Sequence, residues 1–103
     1  IHQAAADGRI LLVVERGAGH QPGSRYDVTG GATLGRGDVE IVLEDPFAST
    51  QHARLAPHGD VIVLEDLGST NGTFCNGVKV DNKPLADGDK ITIGTTVIEF
   101  RRD

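Results

Sequence analysis

Short β-rich runs recur along the whole chain, and glycine, asparagine, aspartate or proline residues separate each run from the next. No stretch repeats apolar residues at the helical spacing of three and four positions. Many short strands at close intervals are typical of a β-sandwich or a β-barrel. The sequence therefore predicts an all-β fold, with strands near 9–16, 25–28, 32–35, 40–43, 52–56, 61–66, 73–75, 78–80, 89–93 and 96–101.

Two of the strand connections carry hairpin signals. Asn76-Gly77 separates the runs TFC and VKV, and this dipeptide favours a type I′ turn because both of its residues tolerate positive φ angles. In ITIGTTVIEF, residues 91–100, apolar and polar side chains alternate on both sides of Gly94-Thr95. Such alternation indicates antiparallel strands with one face buried and the other in solvent.

The length of the chain, 103 residues, allows one domain with a modest core. We expect this domain to occupy residues 9–102, and residues 1–8, IHQAAADG, to form a flexible lead-in. Because the chain begins with Ile1 rather than methionine, we expect it to be part of a longer protein, whose other segments are free to include a membrane anchor. The longest apolar run, residues 10–14, is far too short to span a bilayer, so we expect no membrane contact by the domain itself.

Charge and cysteine content argue against several functions. Ten basic and 15 acidic residues give a net charge of −5, which disfavours nucleic-acid binding because that function needs a basic surface. The single cysteine, Cys75, allows no internal disulfide and no cysteine-based zinc site, and we expect it to be a buried apolar side chain in a cytoplasmic protein. The four histidines lack the spacing of metal ligands, so the sequence predicts neither a metal nor a cofactor.

Three polar loops contain more than turn formation requires. They are TLGRG at residues 33–37, DPFASTQH at 45–52 and LGSTNGTF at 67–74. Each loop leaves one strand and enters another, and loops so arranged collect at one end of an antiparallel sandwich. We therefore expect polar side chains from all three loops to converge: Arg36, Ser49, Thr50, Thr70 and Asn71.

The converging side chains favour an anion-binding site. The guanidinium of Arg36 can hold a phosphate through two parallel hydrogen bonds, and Ser49 and Thr50 add hydroxyl donors. Backbone N–H groups in loops of small residues can form a further anion-holding concavity. The side chain of Asn71 can both donate and accept, which suits the main chain of an extended peptide. No aspartate or glutamate lies within 46–55 or 67–77 to repel an anion.

The pair Ser49 and His52 raises the alternative of a serine hydrolase. A serine nucleophile needs a base within hydrogen-bonding reach, a third group that orients the base, and an oxyanion hole. Side chains three positions apart on an extended strand lie on opposite faces, and FASTQ lacks the flanking glycines of a nucleophile elbow. The sequence therefore favours His52 as a brace for the loops, and it predicts that the chain is not an enzyme.

Together the three loops resemble the forkhead-associated (FHA) domain, a module that binds phosphothreonine peptides. The resemblance covers residues 34–94 almost continuously, through LGRGDVEIVLEDPFASTQHARL, VLEDLGSTNGTFCNGVKV and LADGDKITIG. The combination of Gly35-Arg36, Ser49-x-x-His52 and the run STNGT at 69–73, in this order, is far more specific than any one of these motifs. The resemblance implies an antiparallel β-sandwich of about eleven short strands in two sheets.

Carried over position by position, the resemblance implies two groups of ligand contacts. Arg36 and Ser49 would bind the phosphate, with Thr50 as an additional donor through its N–H or hydroxyl. Asn71 would bond the main chain of the peptide beside the phosphothreonine, and Thr70 would shape the same wall. Three further residues would support the site structurally: Gly35, His52 and Gly72.

Two positions set this chain apart within the pattern. Many relatives have arginine directly after the serine, where this chain has Thr50, so one possible second cation is missing. Phe47, two residues before the serine, stands at a variable position. We expect its ring to plug the loop from below, the alternative being an exposed apolar contact for the peptide.

The resemblance implies a phosphothreonine-dependent interaction module that reads partner proteins phosphorylated by a Ser/Thr kinase, in a bacterial signalling setting. The partner would be a phosphothreonine-containing protein or peptide, from the kinase itself or from its substrate. The alternative is a scaffold or autoinhibitory domain that binds through a sheet face without phosphate. Neither function implies a cofactor.

Overall fold

The computed structural model describes residues 9–17 and 19–102, which form eleven strands in two sheets. The expected lead-in at 1–8 lies outside the described residues. The all-β sandwich predicted from the sequence is confirmed. In chain order the strands are β1 (Ile10–Arg16), β2 (Arg25–Asp27), β3 (Ala32–Gly35), β4 (Ile41–Val42), β5 (Ala53–His58), β6 (Val61–Asp66), β7 (Thr73–Cys75), β8 (Val78–Val80), β9 (Asn82–Pro84), β10 (Lys90–Ile93) and β11 (Thr96–Arg102).

The strands divide six to five between the sheets. One sheet has the order β2-β1-β11-β10-β7-β8, and the other has the order β4-β3-β5-β6-β9. The antiparallel pattern expected from the sequence does not extend to β3 and β4, which are parallel, with Leu34 opposite Ile41 and Gly35 opposite Val42. Residues 36–40 carry the chain back to the level of Leu34 before β4 begins, and this return makes the two strands run in the same direction.

The strand pattern of the sequence did not indicate β9. This three-residue strand pairs with β6, with Asn82 opposite Glu65 and Pro84 opposite Val63. Asparagine, lysine and proline are all depleted in strands, so the segment has no local β signal. Among the described strands, β9 is the last of its sheet and pairs on one side with β6, and an edge strand tolerates proline.

The core lies between the two sheets and contains alternate residues of the strands. In β10 and β11, Ile91, Ile93, Ile98 and Phe100 are at most 1% exposed, as their alternation predicted. Burying a side chain of this size contributes about 1.5–3 kcal/mol relative to leaving it exposed. Cys75 is buried in the same cluster, as expected, and its desolvation raises the pKa of its thiol.

The strand register brings the ends of three strands, where the polar loops begin or finish, to the same end of the five-stranded sheet. Leu34 on β3 lies opposite Ala53 on β5, and Ala53 lies opposite Asp66 on β6. The chain therefore leaves β3, enters β5 and leaves β6 at neighbouring points. The three polar loops meet at this end of the sheet because the register places the ends of β3, β5 and β6 side by side.

Candidate functional site

A concavity of about 320 Å³ lies where the three loops meet. The five side chains expected to converge all line it. Three further residues complete its wall: Pro46 and Ala48, which the sequence did not indicate, and Phe47, which it gave as a peptide contact only in the alternative. None of the lining residues is acidic. The wall therefore carries one positive charge, from Arg36, and no negative charge.

Arg36 is fixed beside Ser49 through its backbone. Its N–H donates to the carbonyl of Ser49 at 2.9 Å, and the N–H of Gly37 donates to the carbonyl of Thr50 at 3.0 Å. A Cβ atom at Gly35 would lie 2.2 Å from the Thr50 carbonyl oxygen, so only glycine allows this close approach. The side chain of Arg36 is exposed and makes no ion pair with another described residue. Its guanidinium is available to an anion.

His52 connects two of the loops from a fully buried position. Its Nδ1 accepts a hydrogen bond from the Ser49 N–H at 3.0 Å, so Nε2 carries the proton and donates to the Gly72 carbonyl at 2.8 Å. The hydroxyl oxygen of Ser49 accepts instead from the Thr70 N–H at 3.0 Å. Because main-chain groups occupy both ring nitrogens, the ring offers no base to the Ser49 hydroxyl. The pair that suggested a hydrolase holds two loops together.

Asn71 also joins the 67–72 loop to the 45–52 loop. Its Nδ2 donates to the carbonyl of Phe47 at 2.9 Å. One amide hydrogen and the Oδ1 atom of Asn71 have no partner among the described residues. The side chain is exposed and can therefore still donate to, and accept from, the main chain of a ligand.

The carboxylate of Asp66, at the end of β6, organises the 67–72 loop. One oxygen accepts from the N–H groups of Gly68 and Ser69 at 3.1 Å, and the other accepts from the hydroxyls of Ser69 and Thr73. Burial opposes the charged form, but these hydrogen bonds outweigh it and hold the pKa of Asp66 below its usual value. Asp66 thus fixes the shape of the loop that forms one wall of the concavity.

Asp45, which is fully buried, ties the 45–52 loop to the turn between β10 and β11. Its carboxylate accepts from the N–H groups of Phe47 and Thr95 at 2.9 and 2.8 Å, and from the hydroxyls of Thr95 and Thr96 at 3.0 and 2.9 Å. Burial opposes the charge here too, and the same bonds keep the pKa of Asp45 below its usual value.

Sequence reasoning missed most of what these two carboxylates do. Aspartate before a turn commonly bonds an N–H two residues on, and this signal accounts for the Asp45 bond to Phe47 and the Asp66 bond to Gly68. The bonds from Thr95 to Asp45 cross 50 positions of the chain. No local pattern could have indicated them.

Phe47 is exposed, contrary to the expectation that its ring plugs the loop from below. Phe47 is 52% exposed, whereas Ala48 is 3% exposed and packs into the core. The backbone explains this arrangement, because the N–H of Phe47 is bonded to Asp45 and its carbonyl to Asn71. The alternative given by the sequence, an exposed apolar surface, is what the structure has.

A wider concavity of about 420 Å³ lies along β3 and β5. Its one cation, Arg54, donates to the Glu65 carboxylate at 2.6 Å and is already paired. Within 9–17 and 19–102, no three His, Cys, Asp or Glu side chains are placed to hold a metal ion, and no helix is long and apolar enough to cross a membrane. The smaller concavity, whose arginine has no ion-pair partner in the part of the chain that the structure describes, is therefore the candidate site.

Comparison with known sequences gives a consistent set of relatives. The family model of the FHA domain matches residues 32–94. The FHA domain-containing protein FhaB of Mycobacterium tuberculosis is 43% identical over an alignment of 96 positions that covers 90% of this chain and 60% of FhaB. Among the first relatives matched, the chain spans 45% to 65% of their length.

The fold is also similar to solved FHA domains. One, from a structural and functional analysis of phosphothreonine-dependent FHA domain interactions, has a TM-score of 0.80 and 36% identity, covering 90% of this chain and 95% of that one. The FhaA FHA domain, in complex with the intracellular domain of Rv3910, has a TM-score of 0.79 and 36% identity, covering 89% of this chain and 99% of that one.

Proposed function

This chain belongs to the FHA family, and we propose that it is an interaction module that binds phosphothreonine-containing segments of partner proteins in the loop concavity. The observation that carries the proposal is the position of Arg36. Its exposed guanidinium, which forms no ion pair with another described residue, lies with hydroxyl and amide donors in a wall that contains no carboxylate. The similarity to a domain studied for phosphothreonine-dependent interactions supports the choice of ligand.

The phosphate is held by three residues. A phosphothreonine carries a charge of about −1.5 to −2 at neutral pH. Arg36 offsets part of this charge through parallel N–H bonds from its guanidinium. The hydroxyl of Ser49 donates its own hydrogen to the phosphate while its oxygen keeps the bond from Thr70. Thr50 adds a donor through its hydroxyl or its N–H.

The peptide around the phosphate is held by the 67–72 loop. Asn71 bonds the peptide main chain through Oδ1 and its remaining amide hydrogen, and Thr70 forms the wall for the γ-methyl group of phosphothreonine. Gly35, His52 and Gly72 support this arrangement through the close approach and hydrogen bonds described above.

The partner is a protein phosphorylated by a Ser/Thr kinase, either the kinase itself or its substrate. Kinases use ATP, so a domain that reads their product works where ATP is present, and we place it in the cytoplasm. The domain binds its partner without catalysis, because main-chain groups occupy both ring nitrogens of His52 and leave it unable to act as a base for the Ser49 hydroxyl.

Binding of a degenerate phosphothreonine peptide library, compared with the same library containing threonine, tests the proposal. We expect only the phosphorylated library to bind.

Arg36→Ala should weaken binding by about ten- to hundredfold, because charge-assisted hydrogen bonds contribute about 1.5–3 kcal/mol each, and Ser49→Ala should weaken it less. Arg101→Ala is the matched control, since Arg101 is exposed on β11 and pairs with Glu99 outside the concavity. Equal affinity of wild type and Arg36→Ala would remove Arg36 from the site.

The ligand residue itself can be varied in the same assay. Phosphoserine should bind several-fold to tens-fold more weakly than phosphothreonine, because one buried methyl group contributes about 1 kcal/mol or somewhat more. Glutamate should not bind, since it carries one charge and lacks the methyl group. A partner captured equally well before and after phosphatase treatment would instead support a phosphate-independent scaffold.

A further inference from the structure

The concavity has an apolar rim that the proposed phosphate contacts do not use. Pro46 and Phe47 line it, and Phe47 is 52% exposed. By contrast, the ring of Phe100 is fully buried in the core. An exposed aromatic ring beside a binding site is a surface whose burial by a ligand is favourable.

The backbone on both sides of this ring is held in place. The N–H of Phe47 donates to Asp45 at 2.9 Å, and its carbonyl accepts from Asn71 at 2.9 Å. Asp45 is anchored in turn by bonds from Thr95 and Thr96. Because the loop is already ordered, a ligand that packs on the ring loses little binding free energy to ordering of the protein.

The charge of the wall determines which kind of ligand side chain binds favourably to the ring of Phe47. An aromatic face attracts aliphatic and aromatic groups, and it also attracts the cations of lysine and arginine. A cation would lie near Arg36 and would find no carboxylate among the lining residues. The neighbouring carboxylate of Asp45 is fully buried and already accepts four hydrogen bonds. An apolar side chain is therefore favoured.

We propose that Phe47 makes this domain select phosphothreonine segments with an aliphatic or aromatic side chain close to the phosphothreonine. An extended segment advances about 3.3 Å per residue, so a side chain within about four residues of the phosphate can reach another wall of the same concavity. This inference rests on the proposed function and adds to it a class of partner sequence.

A peptide scan tests the selection. The parent peptide has phosphothreonine flanked by four alanines on each side, and each variant has leucine, lysine or aspartate at one flanking position. With wild type, leucine at one position should strengthen binding by about five- to tenfold over alanine. Phe47→Ala should bind the leucine and alanine peptides equally, whereas Phe47→Leu, which keeps an apolar side chain, should retain most of the preference.

Val78→Ala is the control, because Val78 is 64% exposed and lies outside the concavity. It should leave the preference unchanged. The inference is overturned if wild type prefers leucine at no position, if Phe47→Ala keeps the preference, or if lysine binds better than leucine. In each of these cases phosphate-dependent binding of the parent peptide leaves the proposed function standing. If neither this peptide nor the phosphothreonine library binds, the proposed function fails and this inference with it.

Discussion

Two Asn-Gly pairs stand five residues apart in this chain, and they adopt different conformations. Asn76-Gly77 is the whole connection between β7 and β8, and its φ angles of 52° and 83° are both positive, as a type I′ turn requires. Asn71-Gly72 ends the loop at 67–72, and within this pair only the glycine has a positive φ, of 91°. The same dipeptide closes a hairpin in one place and forms part of the candidate site in the other.

The contacts of the two pairs explain the difference. Asn76 bonds Asp89 and the N–H of Lys90 through its side chain, within the sheet that its own hairpin belongs to. Asn71 bonds the carbonyl of Phe47, 24 positions away, and the carbonyl of Gly72 accepts from His52, 20 positions away. A two-residue connection is decided by its own residues, whereas the longer loop takes its shape from other loops.

The largest effect should come from the aspartate that supports the 67–72 loop. In Asp66→Asn, an NH₂ group replaces one carboxylate oxygen and meets donors that need an acceptor. We expect the free energy of unfolding to fall by about 2–3 kcal/mol, measured by urea denaturation. Asp89 accepts two bonds near the hairpin, from Asn76 and from the N–H of Ala86, so Asp89→Asn should cost less.

The pH dependence of this loss checks its cause. The pKa of Asp66 is lowered in the folded state, so its stabilisation is present above the unfolded pKa and is lost as pH falls through the lower, folded pKa. Wild type and Asp66→Asn should therefore differ most near neutral pH and converge below about pH 4. A difference that stays constant down to pH 2 would show that the carboxylate charge is not the source.

Asn71→Ala should separate binding from stability. We expect the affinity for a phosphothreonine peptide to fall about tenfold, because the variant loses both the bond to the Phe47 carbonyl and the groups offered to the peptide. The free energy of unfolding should fall by less than about 1 kcal/mol, since the side chain is exposed. Calorimetric titration and urea denaturation measure the two effects. Unchanged affinity would place Asn71 outside the ligand contacts.

The distinction between local and long-range contacts also explains which parts of the fold could be predicted from the sequence. Local signals were sufficient for the Asn76-Gly77 hairpin and for the alternation in β10 and β11, because neighbouring residues determine both. The gathering of the three loops followed from strand order and from the resemblance. Strand β9 was not predicted because its residues have low β propensity and its extended conformation depends on pairing with β6.

The site was least predictable where contacts cross the fold. The position of Phe47 depends on bonds from Asp45 and Asn71, and Asp45 depends on Thr95, 50 positions along the chain. Residue types indicate that these side chains can bond, but not with which partner. The polar members of the wall could therefore be named from the sequence, whereas the exposure of Phe47 entered only as the alternative to a ring buried under the loop.

Asn76→Ala should lower the stability of the domain and leave its affinity unchanged, whereas Asn71→Ala should mainly lower the affinity. Alanine is disfavoured at a φ of 52°, and the variant also loses the bonds to Asp89 and Lys90. We expect the free energy of unfolding to fall by about 1 kcal/mol and the affinity for the phosphothreonine peptide to stay within twofold of wild type (about 0.4 kcal/mol). A large loss of affinity would show that the hairpin and the site are coupled.

The smallest effect should come from replacing each asparagine with glycine. This substitution tests whether the two positions differ in their need for a positive φ. Asn76→Gly relieves the cost of a positive φ and loses only two exposed hydrogen bonds, so it should cost about 0.5 kcal/mol, less than Asn76→Ala. At Asn71, where φ is not positive, glycine gains no such relief. Asn71→Gly should therefore bind the peptide no better than Asn71→Ala, and it should be slightly less stable because glycine has more freedom in the unfolded chain. If glycine were the better substitution at both positions, the two pairs would share a conformational requirement, and the long-range contacts of Asn71 would not be what distinguishes it.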